Sequence, residues 1–248
     1  NIFSHNLFCE PLWRNFELVC LINEFKISKK ARTKDQKIME LDFLNGEIET
    51  GTTIVALKYK DGLVLAADGR TSTGPIIAFR AARKITQITD KVFMCRSGSA
   101  ADTQIISRYV RRIVQDHELE TGEDTKVKSV ASVARLISYQ NKEHLLADMI
   151  IAGMDPNGEF KVFRIPLGGT LIEGSYAISG SGSGYIYSML DSKYHSEMDL
   201  DECKSFARDL VSHAMFRDSS SGGIIRIIVI NKSGVEEFVV PGEDVPNL

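Results

Sequence analysis

Two apolar runs separated by one tight turn constrain this fold most: Thr53 to Tyr59 and Leu63 to Ala67, joined through Lys60-Asp61-Gly62. Asp-Gly supplies the positive-φ residues that a two-strand reversal needs, and the flanking side chains alternate with the period of half-buried strands. A hairpin therefore opens the domain that follows Gly51. Shorter strand patterns come at Ile85 to Ile88 and Val92 to Arg96, and then the period changes. Ile105, Ile106, Tyr109, Val110, Ile113 and Val114 recur at helical spacing, and Val130, Val133, Ala134, Ile137 and Tyr139 mark a second helix. Strands return at Met149 to Met154, Phe160 to Ile165 and around Tyr176 to Ser179. Helices are expected near Gly184 to Tyr194 and Leu200 to Phe216, and a last hairpin, Ile224 to Ile230 and Val235 to Val240, turns at Asn231 to Gly234. Blocks of hairpins alternating with helix pairs argue against parallel crossover units. They predict an α+β, four-layer αββα sandwich, two antiparallel sheets face to face with helices outside.

Residues 1-51 differ in texture. A basic stretch (Lys26, Lys29, Lys30, Arg32, Lys34, Lys37) precedes an acidic one (Glu40, Asp42, Glu47, Glu49), which reads as an appended leader. A solvated linker is the commoner meaning of such a stretch, a localisation signal the rarer one. Charge is balanced on both sides of Thr52, with 7 basic and 8 acidic residues before it and 23 and 25 from it onward, so no nucleic-acid partner is expected. Glu10, Arg14, Glu17 and Glu24 interrupt the apolar start, and Gly223 to Ile230 is too short to span a bilayer, so no membrane partner is expected either. Cys9, Cys20, Cys95 and Cys203 have no metal-like spacing, which predicts reduced thiols and no metal site. Asn231-Lys232-Ser233 spells a glycosylation acceptor, but the hairpin turn explains it better.

The chemistry converges on Gly51-Thr52. Cutting that bond would give one residue both a hydroxyl and a free amine, a nucleophile carrying its own candidate base. Taken singly, Thr52 could be a strand threonine, Asp68 a turn former and Lys84 a surface charge. Gly51 could be a flexible joint, although a missing side chain would also let the Thr52 hydroxyl approach its carbonyl. Ser99, three residues before Asp102, resembles a capping box, which would put the Gly98 amide near the positive end of the helix that follows. The run Gly180 to Gly184 is no dinucleotide fingerprint, because Tyr185 stands at the third glycine and no GK[ST] follows.

Taken together, Gly51-Thr52-Thr53, Ala67-Asp68-Gly69-Arg70, Lys84, Arg96-Ser97-Gly98-Ser99-Ala100, Gly180-Ser181-Gly182-Ser183 and Asp218-Ser219-Ser220-Ser221-Gly222-Gly223 resemble the catalytic proteasome β subunits. These are N-terminal nucleophile hydrolases, and the caspase-like, beta type 1 member is the nearest in pattern. The resemblance covers nearly all of residues 52-248, and residues 1-51 match a propeptide in position only. It implies that Thr52 is the nucleophile, with its α-amine, ordinarily titrating near pKa ~8, as proton shuttle. Lys84 would lower that amine's pKa, Asp68 would hold Lys84, and Gly98 would donate to the oxyanion. Ser181, Asp218 and Ser221 would orient the amine and a water. Arg96 would line the pocket for an acidic side chain, and Ser72 would bond the backbone of an extended substrate. Gly69, Ser72 and Ala82 depart from some relatives, which bears on fine specificity.

The resemblance further implies self-processing at Gly51-Thr52 and no cofactor. The partners would be the other β and α-ring subunits of a 28-chain 20S particle, assembly chaperones and unfolded polypeptide substrates, in cytoplasm and nucleus. Pro241 to Leu248 is expected to be a tail touching a neighbour, or a frayed end. Two other readings stay open. One is a non-catalytic structural β subunit of the same particle, against which Thr52, Asp68 and Lys84 argue. The other is a stand-alone amidohydrolase, which a large particle mass would exclude.

Overall fold

The expected hairpin forms, with its turn one residue earlier than Asp-Gly chemistry implies: β1 (Ile54–Tyr59) and β2 (Gly62–Asp68) pair antiparallel around Lys60-Asp61, with Ile54 opposite Ala67 and Tyr59 opposite Gly62, which has no positive φ and is the first residue of β2. The computed structural model describes residues 51–73 and 76–246. The leader expected at 1-51 therefore lies, apart from Gly51, outside the described residues, as do Cys9, Cys20 and the basic stretch. The next strands are β3 (Thr71–Thr73), β4 (Ile76–Phe79), β5 (Ile85–Gln87) and β6 (Val92–Gly98), followed by helices α1 (Ala100–Thr121) and α2 (Val127–Gln140). Strands β7 (Ala147–Met154), β8 (Phe160–Ile165), β9 (Ile172–Gly174) and β10 (Tyr176–Ser179) precede helices α3 (Tyr187–Lys193) and α4 (Leu200–Arg217). A closing hairpin, β11 (Ile225–Asn231) and β12 (Gly234–Val240), completes the order.

One five-stranded sheet runs β10-β1-β2-β11-β12 and a second β5-β6-β7-β8-β9, while β3 and β4 form a separate two-stranded ribbon, every pairing antiparallel. Ile54, Ala56, Leu63, Leu65 and Ile230 of the first sheet meet Phe93, Cys95, Ile150, Ala152 and Val162 of the second in an apolar seam. On the other face of the first sheet, Val55, Leu57, Val64 and Ala66 pack with Phe206, Leu210 and Val211 of α4. Helices α1 and α2 cover the second sheet, where Met94, Met149, Ile151, Phe163, Ile106, Val110 and Val130 are buried. The expected four-layer αββα sandwich is the fold found.

This layering corrects the half-buried reading of β1 and β2. Both are covered on two faces, and apart from Lys58, which is partly exposed, every residue of the two strands is buried. A strand inside a stack tolerates apolar side chains in both directions. The helix expected over Gly184 to Tyr194 is split into a 3-10 turn, Ser181–Tyr185, and α3. The capping box is only half formed. Ser99 Oγ accepts from Asp102 N at 3.3 Å, but the Asp102 carboxylate accepts from Leu146 N, and Ser99 N donates to Leu146 O. The start of α1 is thereby tied to the segment entering β7. Of the two expectations for the tail, a frayed end does not fit its described part, where Val245 packs against the α4 core and Pro246 O accepts from Ser212 Oγ. Asn231 Oδ1 accepts from Ser233 N and Gly234 N, as a hairpin turn requires.

Candidate active site

Thr52 and Thr53 lead into β1 and Asp68 ends β2, so the antiparallel register sets them side by side: Thr53 N donates to Asp68 Oδ1 at 2.9 Å and Asp68 N to Thr53 O at 3.2 Å. Asp68 Oδ2 accepts from Arg70 N at 3.1 Å and Gly222 N at 3.0 Å. Lys84 enters from the approach to β5, with Nζ 2.7 Å from Asp68 Oδ1. The two side chains are 9% and 0% exposed. The same Nζ donates to Thr52 Oγ1 at 3.0 Å and to Gly51 O at 3.1 Å, so all three of its hydrogens have acceptors. Burial pushes the Lys84 ammonium below the ordinary lysine range, and the Asp68 carboxylate opposes that push. The bland reading of Lys84 as a surface charge is excluded.

A second chain of bonds reaches the other side of Thr52. Its nitrogen donates to Ser181 Oγ at 3.1 Å, and Ser181 Oγ donates to Asp218 Oδ2 at 2.7 Å. Ser221 Oγ donates to the same oxygen at 2.7 Å and lies 2.8 Å from Thr53 Oγ1. Asp218 is fixed as the C-cap of α4, its amide donating to Ala214 O. The glycine run that mimics a nucleotide motif has a steric purpose here. Gly180, at φ 94°, lies so close to Thr52 that a Cβ would overlap the Thr52 carbonyl, and Gly182 N donates to that oxygen at 3.3 Å.

Thr52 Oγ1 donates to Gly51 O at 2.5 Å, so the hydroxyl lies against the carbonyl of its own preceding peptide. Gly51 is glycine for a further reason than hydroxyl access, because a Cβ there would overlap the Ser220 backbone. Gly98, at φ 96°, ends β6 and lines a cavity of about 240 Å³ with Gly51, Thr52, Ser72, Lys84 and Arg96. In the uncleaved chain the Gly51 carbonyl takes hydrogen bonds from Lys84 and Thr52, while Gly98 stands in the cavity wall. Arg96 and Ser72 line this cavity too. Arg96 is 9% exposed, with Nε on Thr86 Oγ1 at 2.9 Å and Nη2 on Arg83 O at 2.5 Å, and burial pulls its pKa below the usual arginine value.

The eight residues singled out around Gly51-Thr52, namely Asp68, Ser72, Lys84, Arg96, Gly98, Ser181, Asp218 and Ser221, are thus gathered at one end of the sandwich. Thr53, Arg70 and Gly222 belong with them and were not singled out. Their signals, a threonine doublet, the arginine two residues after Asp68 and a glycine doublet, acquire meaning only through long-range contacts. Among the described residues no His, Cys, Asp or Glu cluster has a metal-holding arrangement, and no helix is long and apolar enough to cross a membrane.

A hydroxyl, a buried lysine and a carboxylate are thus locked together at one end of an αββα sandwich, and comparison with known proteins gives the family. The family model described as "Proteasome subunit" matches residues 48–230, and the chain belongs to that family. It is 45% identical over 205 residues to "Proteasome subunit beta type-6" of Dictyostelium discoideum, covering 83% of this chain and 96% of the relative. It is 46% identical over 191 residues to "Probable proteasome subunit beta type-1" of Schizosaccharomyces pombe, covering 77% and 84%. With "Proteasome subunit beta type-9" of Oncorhynchus mykiss it shares 38% over 208 residues, covering 84% and 95%. Within the family it is a β subunit of the 20S core, a component that assembles with other proteasome subunits.

Proposed function

We propose that this β subunit is a threonine endopeptidase of the caspase-like type, made as a zymogen and activated by cutting its own chain between Gly51 and Thr52. The observation that carries the reading is Lys84 Nζ, which bonds Thr52 Oγ1, Gly51 O and Asp68 Oδ1 at once. In self-cleavage, Thr52 Oγ1 adds to the Gly51 carbonyl carbon and gives up its proton, while Lys84 stabilises the charge developing on Gly51 O. The Gly51–Thr52 C–N bond then breaks as the nitrogen takes a proton, leaving an ester at Oγ1. Water hydrolyses that ester, releasing residues 1-51 with a carboxylate on Gly51 and returning the Thr52 hydroxyl beside the α-amine that the C–N cleavage set free. The nitrogen already bonded to Ser181 becomes the amine that shuttles protons in later turnovers.

Substrate cleavage repeats the chemistry with a polypeptide carbonyl, an acyl-enzyme at Thr52 and release by water. Gly98 is the oxyanion donor once Gly51 has left. Arg96 recognises a glutamate or aspartate before the cut bond, and Ser72 bonds the extended backbone. In this reading the subunit works in a 28-chain particle on unfolded, ubiquitin-marked substrates in cytoplasm and nucleus, assembled with chaperones, and needs no cofactor.

The test is the intact mass and N-terminal residue of the chain taken from assembled particles, wild type against Thr52→Ala. The expected wild-type chain begins at Thr52, and the variant keeps its leader and loses cleavage after acidic residues. Retention of residues 1-51 in both would replace the reading with that of a structural subunit.

A further inference from the structure

The loop from Asp218 to Gly222 carries Asp218 and Ser221, presses Ser220 against Gly51 and gives an amide to Asp68. Three consecutive residues at the end of β2 grip it. Asp68 Oδ2 accepts from Gly222 N at 3.0 Å, Gly69 N donates to Gly222 O at 3.0 Å, and Arg70 Nη1 donates to Ser219 O at 2.6 Å. Arg70 also ties back to Asp68, through its own amide. Its guanidinium lies flat on Gly222: the three atoms nearest to a Cβ built there are Arg70 Nη2, Cζ and Nε. Gly222 has no positive φ, so its missing side chain is explained by the guanidinium and not by the backbone.

We infer that Arg70 is a positioning residue. It clamps the Ser219–Gly222 loop so that Asp218, through Ser181, holds the Thr52 nitrogen, and so that Gly222 keeps Asp68 aimed at Lys84. A charged donor on a carbonyl is among the stronger protein hydrogen bonds, and here it fixes the one segment shared by both bond chains that meet at Thr52. Arg70 also lines the substrate cavity, so a role in binding must be separated from a role in geometry. The inference rests on Thr52 being the nucleophile.

The experiment is steady-state cleavage of a peptide with glutamate before a fluorogenic leaving group, by particles carrying Arg70→Ala, Gly222→Ala or both, with Thr52→Ala as control. Arg70→Ala is expected to lower kcat about tenfold or more with KM within about twofold. Gly222→Ala, which removes no charge and no donor, is expected to give the same loss, because its methyl displaces the guanidinium. The double variant is expected to be no worse than Arg70→Ala alone, the non-additivity of two changes acting through one contact. If Arg70→Ala fails to enter particles, Gly222→Ala carries the same expectation by itself. The inference is overturned by a change confined to KM, by a silent Gly222→Ala, or by additive losses. Cleavage that survives Thr52→Ala would instead remove the reading on which the inference rests.

Discussion

The two ends of β6 carry the same kinds of residue and differ in what surrounds them. At the Gly98 end, a cavity of about 240 Å³ holds Lys84 and Asp68 at 2.7 Å with side chains 9% and 0% exposed. At the Val92 end, about 20 Å away along the strand, a larger cavity of about 590 Å³ is lined by Lys91, Arg111, Glu118 and Asp124. There Lys91 and Asp124 pair at 3.4 Å with side chains 46% and 67% exposed. Size and charge would favour the second cavity, and burial favours the first. An ion pair in water is screened and contributes little, whereas a pair taken out of water is held by the fold in one geometry and cannot lose a partner cheaply. The difference teaches that the two ends are told apart by desolvated charge and not by volume.

The largest test of that contrast exchanges the two lysines for methionine in turn. Lys84→Met leaves the Asp68 carboxylate buried without its cation, a loss of about 3–5 kcal/mol, and is expected to abolish processing and cleavage. Lys91→Met is expected to cost less than about 1 kcal/mol and to leave both intact. Thermal unfolding and chain mass of the assembled particles measure the pair of outcomes, and equal effects would break the comparison. A smaller effect is expected from Arg96→Val, which should lower the ratio of cleavage after acidic to cleavage after apolar residues roughly tenfold. Arg111→Val at the other end should leave the ratio alone, and an unchanged preference in Arg96→Val would remove the specificity assignment. The smallest effect belongs to Cys95, midway along β6. Burial pushes its thiol up to about 12, with neighbouring Arg96 opposing. A raised thiol pKa means a neutral thiol at every lower pH, with a thiolate fraction of about one in ten thousand at pH 8. Iodoacetamide should therefore label Cys95 in denaturant and not in the native particle.

Much of the fold was legible in the sequence because its long strands and helices carry their burial in their own pattern. The Asp61-Gly62 hairpin and the apolar face of α4 needed no partner to be read. What escaped was short and exposed. β4, Ile76–Phe79, is exposed at every residue and β9, Ile172–Gly174, likewise, so neither alternates against a core. Burial of β1 on both faces escaped because periodicity on one strand does not report how many layers cover it. The carboxylate, lysine and hydroxyl of the candidate site were legible as residue types. Arg70 lying on Gly222, and Ser220 filling the space a side chain on Gly51 would need, were not. Those facts belong to residues brought together from opposite ends of the domain.

The pairing of β1 has a consequence for where a cut can be made. Chain ends usually fray, because a terminal residue has neighbours on one side only and recovers backbone freedom cheaply. Thr52 lies two residues before a strand bonded on both edges, with Ile54 opposite Ala67 of β2 and Ser179 of β10, and Thr53 is held by the Asp68 carboxylate. A terminus created here would be tethered from its second residue onward. The first residue of the shortened chain would keep the place it held in the longer one, so that a part of the molecule normally given to wandering becomes one of its fixed points.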